Sequence, residues 1–346
     1  MGQSPDSSGY NTSAEGLPLI QGNADIDNRV SIIRTYTRHI TKKATTGDLL
    51  LTVRAPVGNI ARATFNCCLG RGVCALRNAP NFLYYYFESI EGKWAHLSGG
   101  STFDSINADV LESMEILLPP PHEQRLISAS LDAADKYISA LQALISKYDA
   151  IKKATVNLLM KPKSGWRQIS LGDIGDVLMC KRILKNQTTE TGDVPFYKIG
   201  TFGRTPDAFI SRVLFDDFKA RFSYPQKGDV LLSAAGTIGR TIVFNGEDAY
   251  FQDSNIVWID NDERIVTNRF LHVLYGQLDW QTENGGTVSR LYNANIRNTK
   301  IKIPSLSEQK RIVGILDSID GTINGLKSQL AKAQDIKQGM MSYFFG

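Results

Sequence analysis

The chain of 346 residues is about 2.3 times a ~150-residue domain, so two domains are expected. With 42% hydrophobic and 21% charged residues it reads as a folded globular protein rather than a disordered or collagen-like one, and its net charge of +4 permits nucleic-acid binding without demanding it. No apolar run nears the ~18 residues of a membrane helix, no signal peptide is visible, and the spacing of Cys67, Cys68, Cys74, Cys180 and the four histidines suits no metal, so the expectations are a reducing cytoplasm, no membrane and no zinc.

Along the chain the same order of elements occurs twice. Pro18 in LPLIQG returns as Pro195 in VPFYKIG. GDLLLTVRAPVGN (Gly47 to Asn59) returns as GDVLLSAAGTIGR (Gly228 to Arg240), each a β-rich run closed by a small-residue turn. Trp94, Gly99, Gly100, Asn107 and Ala108 return as Trp280, Gly285, Gly286, Asn293 and Ala294. LPPPHEQRLISASLD (Leu118 to Asp132) returns as IPSLSEQKRIVGILD (Ile303 to Asp317). Four blocks in one order identify an internal duplication. The matched glycines Gly58 and Gly239 read as positions of positive φ or close packing.

Each copy ends in a helix. The prolines Pro119 to Pro121 introduce one from about His122 to Met160, and Pro304 introduces another from about Ser307 to Phe345. Ile127, Leu131, Ala134, Ile138, Leu141, Ile145 and Tyr148 in the first, and Ile312, Leu316, Ile319, Ile323, Leu326, Leu330 and Ala333 in the second, alternate spacings of four and three, the signature of a coiled-coil seam. A rod of ~39 residues at ~1.5 Å each is roughly 58 Å long, too long for one domain to cover, so each helix is the other's natural partner. A pseudo-twofold axis relating the repeats makes the helices antiparallel, with a β-rich domain towards each end. The expected fold is thus α+β, with two β-rich domains separated by two long antiparallel helices forming a coiled coil: a first head over 1–118, a central helix over 119–163, a second head over 164–303 and a distal helix over 304–346.

Phosphate-loop, dinucleotide, zinc-protease and nucleophile-elbow motifs are absent. Asp207, Asp217 and Lys219 superficially fit a metal-nuclease pattern, but it is short and the first copy has no equivalent. Binding chemistry is richer, because phosphates are met by Arg and Lys, and base edges also by Asn, Gln, Ser and Thr. Candidates in the first head are Gln3, Ser4, Gln21, Asn23, Arg29, Arg34, Arg54, Ser101 and Thr102. In the second they are Lys181, Arg182, Lys185, Lys198, Arg204, Arg290, Asn293, Asn295 and Arg297. Glu123, Gln124, Arg125 and their repeats Glu308, Gln309, Lys310 open the two helices, as capping residues or as a contact for a partner.

The repeated LPPPHEQRLI and IPSLSEQKRIV, GDLLLTVRAPVGN, and the opening W-x-x-I-x-L-G-D of the second head (Trp166 to Asp173) together resemble the specificity subunit of type I restriction-modification systems, over nearly the whole chain. The resemblance implies two target-recognition domains, each reading half of a split sequence in double-stranded DNA. It also implies paired helices that act as spacer and as dock for two modification (methyltransferase) subunits, which bind S-adenosylmethionine, with a restriction/translocase subunit able to join. This chain would itself be no enzyme. A similar subunit of a type II system, in which one polypeptide cuts and methylates, is the alternative, and a metal nuclease or a scaffold that bridges proteins are the readings from other classes. One departure stands out: by the repeat offset, residue 1 corresponds to about residue 178, so the first head lacks a match for the opening segment Trp166 to Val177, and a sheet edge should lie exposed.

Overall fold

The computed structural model describes residues 1–94, 105–280 and 290–346. Its contacts divide the chain into two compact units, one of Met1–Leu144 with Leu326–Gly346, the other of Ile145–Gly325. Both divisions fall inside the long helices, Pro121–Leu159 and Leu306–Phe345, so each unit holds a β-rich part and a portion of each helix.

In the first unit the central strand Leu49–Thr52 is buried along its whole length and lies antiparallel between Val73–Leu76 and Ile60–Arg62. A strand covered on both faces needs a continuous apolar run, and Leu49, Leu50 and Leu51 supply it. Alternation divides the work: Leu49, Leu51 and Val53 pack with Phe87 and Trp94, while Leu50 joins Ile20, Ala61, Cys67 and Val73 on the other face. A second sheet runs Tyr10–Asn11, Tyr36–Thr37, Leu17–Ile20, Cys67–Leu69, Lys43–Ala44, with Leu17–Ile20 and Cys67–Leu69 parallel.

The second unit repeats this frame. Val230–Ser233 is again buried throughout, between Thr241–Val243 and Ile256–Ile259, and Val194–Tyr197 again runs parallel to a later strand, Tyr250–Phe251. Val230, Leu232 and Ala234 face one core and Leu231 the other. The repeated Gly-Asp has a local cause: Asp48 and Asp229 turn inward and accept hydrogen bonds from the backbone N–H groups of Thr45 (2.8 Å) and Gln226 (2.7 Å), fixing the turn that feeds the buried strand. Gly58 (φ +95°) and Gly239 (φ +84°) both occupy the left-handed region, and a Cβ at either would meet Cδ1 of the matched tryptophan, Trp94 at 1.9 Å or Trp280 at 2.7 Å. Both properties expected of these glycines therefore hold.

The helices pair within each unit. In the first, Leu131 shares a small core with Met341 and Tyr85, and Asp135, one turn on, pairs with Lys337, one turn back (2.7 Å). In the second, Val156 and Met160 share a core with Ile312 and Leu316, while Lys152, earlier in the first helix, pairs with Asp320, later in the second (2.5 Å). Both arrangements require antiparallel helices. The seam residues Ile127, Leu131, Ile138, Leu141, Ile145, Ile312, Leu316, Ile319, Ile323, Leu326 and Leu330 are all buried or half-buried, between largely exposed neighbours.

The units differ in what is added to the frame. The second carries a helix, Arg212–Arg221, started by the Ser211 hydroxyl accepting from Leu214 N–H, in a stretch that is shorter in the first. It also carries Arg167–Ser170, antiparallel to Lys300–Ile303, and Val177–Leu178, on the edge of Ile256–Ile259. Among the described residues of the first unit, neither strand has a counterpart.

Candidate nucleic-acid interface

In the second unit the strand Tyr250–Phe251 must turn sharply to pass from its own sheet into another as Ile256–Ile259, and it does so through residues 252–255, with Ser254 at φ +58°. Side chains hold this turn in place. Gln252 Oε1 accepts from Ile199 N–H (2.9 Å), Arg182 Nε donates to Asp253 Oδ2 (2.8 Å), and Arg290 Nη2 donates to Ser254 O (2.9 Å) and Asn255 Oδ1 (3.3 Å). The turn walls a hollow of about 490 Å³, also lined by Lys185, Thr188, Phe196 and Lys198. Four of the candidate residues, Arg182, Lys185, Lys198 and Arg290, therefore converge from separate parts of the sequence.

The hollow mixes positive charge with amides and hydroxyls over an aromatic floor, the chemistry that grips phosphate and reads base edges. Its charges are partly compensated: Arg182 by Asp253, and Lys198 by Asp207 (2.8 Å). With side chains 67% and 41% exposed, Arg182 and Lys198 can exchange a carboxylate for a phosphate with little desolvation. The sequence reading missed Gln252, Asn255 and Thr188. For Gln252 and Asn255 the signal is positional, since 252–255 follows the strand that repeats Cys67–Leu69.

The same turn in the first unit is Gly70, Arg71, Gly72. Here Gln3 N–H donates to Leu69 O (2.9 Å), the Ser4 hydroxyl accepts from Arg71 N–H (3.2 Å), and Gly72 N–H donates to Gln21 O (3.1 Å). Gln3, Ser4 and Gln21 thus gather round the exposed Arg71, another residue the sequence reading did not single out. Asn23 Oδ1 accepts from Asn59 Nδ2 (2.6 Å), beside the Gly58 turn. Arg54 is exposed on a bridge to Ser105 that matches the bridge between Ala235 and Arg290. Ser101 and Thr102 lie outside the described residues.

Other candidates are bonded within their own unit or lie exposed. Arg29 is engaged within its own unit: its guanidinium pairs with Glu91 (2.6 Å) and lies 3.6 Å from Glu88, and these partners raise its pKa against the opposing effect of burial. Arg34 donates to Ala24 O (3.2 Å). Asn295 Oδ1 accepts from Tyr292 N–H (3.2 Å) at the start of the helix Asn293–Asn298, on which Asn293 is exposed and Arg297 pairs with Asp176. Lys181 lies over the Phe222 ring (5.2 Å), and the exposed Arg204 borders a separate hollow of about 250 Å³ beside Tyr197 and Phe251.

The two helix-opening triplets also divide. Gln309 is fully buried, its Oε1 accepting from Thr267 N–H (2.9 Å) and its Nε2 donating to Ile265 O (3.0 Å) and Pro304 O (3.1 Å). It cannot touch a partner, which corrects the docking expectation for this residue. Gln124 keeps only the equivalent bond to Pro119 O (2.8 Å), because the helix that Thr267 caps in the second unit is preceded in the first by Pro80, which has no N–H to give. Glu308 pairs with Lys163 (3.3 Å), Glu123 lies 3.8 Å from His122, and Arg125 and Lys310 are exposed.

The nuclease-like trio does not assemble. Asp207 faces Lys198, Asp217 pairs with Arg221 one turn along its helix (3.0 Å), and Lys219 pairs with Asp248 (3.2 Å). Arg212 and Lys219 together hold the Asp248 carboxyl below its ordinary range. Among the described residues no group of three Asp, Glu, His or Cys side chains could hold a metal, and no helix is long and apolar enough to cross a membrane.

Comparison with known proteins supplies the remaining observation. Residues 1–148 and 163–333 each match the family described as the type I restriction modification DNA specificity domain. A putative type I restriction enzyme specificity subunit of Haemophilus influenzae is 42% identical over 275 residues, 76% of this chain and 70% of the relative. The putative MjaX specificity subunit of Methanocaldococcus jannaschii is 38% identical over 168 residues, 47% of this chain and 40% of that one. In fold the chain is similar to the S subunit of the type I restriction-modification system of M. genitalium (TM-score 0.61, 16% identity, 98% of this chain and 91% of that one). It is equally similar to a chain solved in work on the assembly and conformational transition of a type I system (TM-score 0.60, 21% identity, 97% and 91%).

Proposed function

The chain belongs to the family of type I restriction-modification DNA specificity subunits, and from that premise we propose that its two units read two unlike half-sites of one asymmetric, bipartite target in double-stranded DNA. The observation that carries this reading is a duplicated frame with unlike loops. Equal heads would read equal half-sites and favour a palindrome, as symmetric dimers do. Here one turn presents Arg71 between two glycines, and the other presents residues 252–255 with Arg182, Lys198 and Arg290 around them. Unlike donors and acceptors call for unlike bases.

On this proposal the paired helices separate the half-sites and dock two modification subunits. Those subunits bind S-adenosylmethionine and transfer its methyl group, while this chain supplies the address and no catalytic group. A restriction/translocase subunit joins the same assembly, and the assembly works in the cytoplasm.

Genome-wide methylation compared with and without the gene tests the reading. A split motif should vanish with the gene. Replacing residues 164–303 by those of a relative should then change one half of the motif and leave the other intact. Unchanged methylation on deletion, or a change in both halves on replacement, refutes it.

A further inference from the structure

The two compensated cations of the hollow in the second unit differ in where their carboxylates lie. Asp207, the partner of Lys198, has a side chain 58% exposed, so water takes it over when Lys198 moves to a phosphate. Asp253, the partner of Arg182, has a side chain only 15% exposed and stands in the wall of the hollow. Its Oδ2 accepts from both Arg182 Nε (2.8 Å) and the Ser254 hydroxyl (3.3 Å), and among the described residues no donor meets Oδ1. The backbone beneath it is fixed on both sides: Asn255 N–H donates to Asp253 O (2.6 Å), Gln252 N–H to Tyr197 O (2.9 Å), and Arg290 holds Ser254 O. When the exposed Arg182 turns to a phosphate, Asp253 therefore keeps its place and loses its cation. An enclosed carboxylate facing DNA then needs a new donor, because leaving it unpaired is costly.

We propose that Asp253 is a specificity-determining residue of the second unit, its freed carboxylate accepting a hydrogen bond from the N4 amine of a cytosine in the major groove. The inference rests on the DNA-reading function proposed above and assigns one base pair of one half-site. Base edges in the major groove offer two donors, the cytosine N4 amine and the adenine N6 amine, whereas guanine and thymine present acceptors that repel a carboxylate. Adenine also carries the acceptor N7 beside its amine, while cytosine carries a C5–H there, so cytosine is the base a carboxylate favours. Arg182 and Asp253 thus act in sequence. The phosphate draws the cation away, and the exchange is complete only where an amine replaces it. The matching turn of the first unit, Gly70 to Gly72, carries Arg71 and no carboxylate, so the effect belongs to one half of the motif.

The test uses the full chain with its modification subunits. Methylation sequencing of cells expressing the wild type should show a fixed G·C pair in the half-motif that residues 164–303 read. Asp253→Asn should make that one position degenerate and leave the others, and Asp207→Asn should change none. A change in the DNA probes the same contact without altering the protein. N4-methylcytosine keeps its pairing with guanine but puts a methyl group where the free N4–H points, so at that position it should weaken binding by the wild-type complex about tenfold or more, and binding by Asp253→Asn little. The proposal is overturned if Asp253→Asn leaves the motif unchanged or alters several positions together, or if N4-methylcytosine binds as cytosine does at every cytosine of that half-motif. Should Asp253→Asn abolish methylation altogether, the wild-type comparison of the two cytosines decides by the same criterion. A wild type that yields no split motif would refute the DNA-reading function itself, a result distinct from an intact motif that ignores residue 253.

Discussion

Replacing Gln309 separates hydrogen bonding from packing at the start of the second long helix. The wild-type side chain, itself fully buried, satisfies one half-buried donor, Thr267 N–H, and two acceptors, Ile265 O and Pro304 O. Each such polar group left without a partner costs about 1–3 kcal/mol, so losing all three costs about 3–9 kcal/mol before any water enters. In Gln309→Ala a water can enter the vacated space and recover part of this, giving an expected cost of about 3–5 kcal/mol. Gln309→Met fills the space and admits no water, so it should cost at least as much although it restores the volume. Gln124→Ala, at the half-buried matched position with a single bond, should cost about 1 kcal/mol. A protein of two units need not unfold in one step, so the measurement is amide exchange in Asn268–Tyr275, the helix that Thr267 caps. If Gln309→Met proves milder than Gln309→Ala, packing and not polar satisfaction governs the site. If Gln309→Ala costs no more than Gln124→Ala, the assignment of Gln309 as an internal clamp is wrong.

Three further outcomes are expected. Gly58→Ala and Gly239→Ala should each destabilise their unit by about 2–5 kcal/mol, Gly58 by more because its Cβ approach to tryptophan is closer, with changed tryptophan fluorescence as the readout. If Arg182 and Lys198 contact phosphates, Arg182→Ala and Lys198→Ala should each reduce the salt dependence of DNA binding by about 0.9 in log–log slope. Arg29→Ala should leave that slope unchanged, since its charge is already engaged by Glu88 and Glu91. Burial pushes the thiols of Cys67 and Cys74 up to about 11 from an ordinary 9.0. Folding therefore favours the neutral thiol: the stabilisation is complete below pH 9 and declines as pH rises towards 11, which urea titrations across that range and slow alkylation of the folded chain at pH 8 would register.

The frame was legible in the sequence because its signals are local or repeated. The Leu49 to Leu51 run, the Gly-Asp turns, the glycines under the tryptophans and the alternating four-three seam each follow from spacing, and their recurrence separates them from chance. The nucleic-acid surface was legible only in part. Which of Arg29, Arg182 and Arg290 meets an internal carboxylate depends on residues far away in sequence, and Glu91 is no more visible from Arg29 than Asp253 is from Arg182. Gln309 shows the opposite hazard. A motif repeated at two helix starts suggested a shared outward role, yet burial turns one copy into a clamp, and Pro80 deprives the other of its donor.

The division of the units within the long helices also sets an order of events during synthesis. The first unit is made of the first 144 residues and the last 21, and its core joins Leu131 to Met341 and Phe82 to Phe345, whose rings lie 5.2 Å apart. At about 5–20 residues per second, roughly 10–40 s separate Leu144 from Leu326 on the ribosome. The head translated first is thus the last to close. Until Lys337 arrives, Asp135 lacks its cation and Glu88 has Arg29 instead, and the apolar face under Tyr85 stays open to water or to a chaperone.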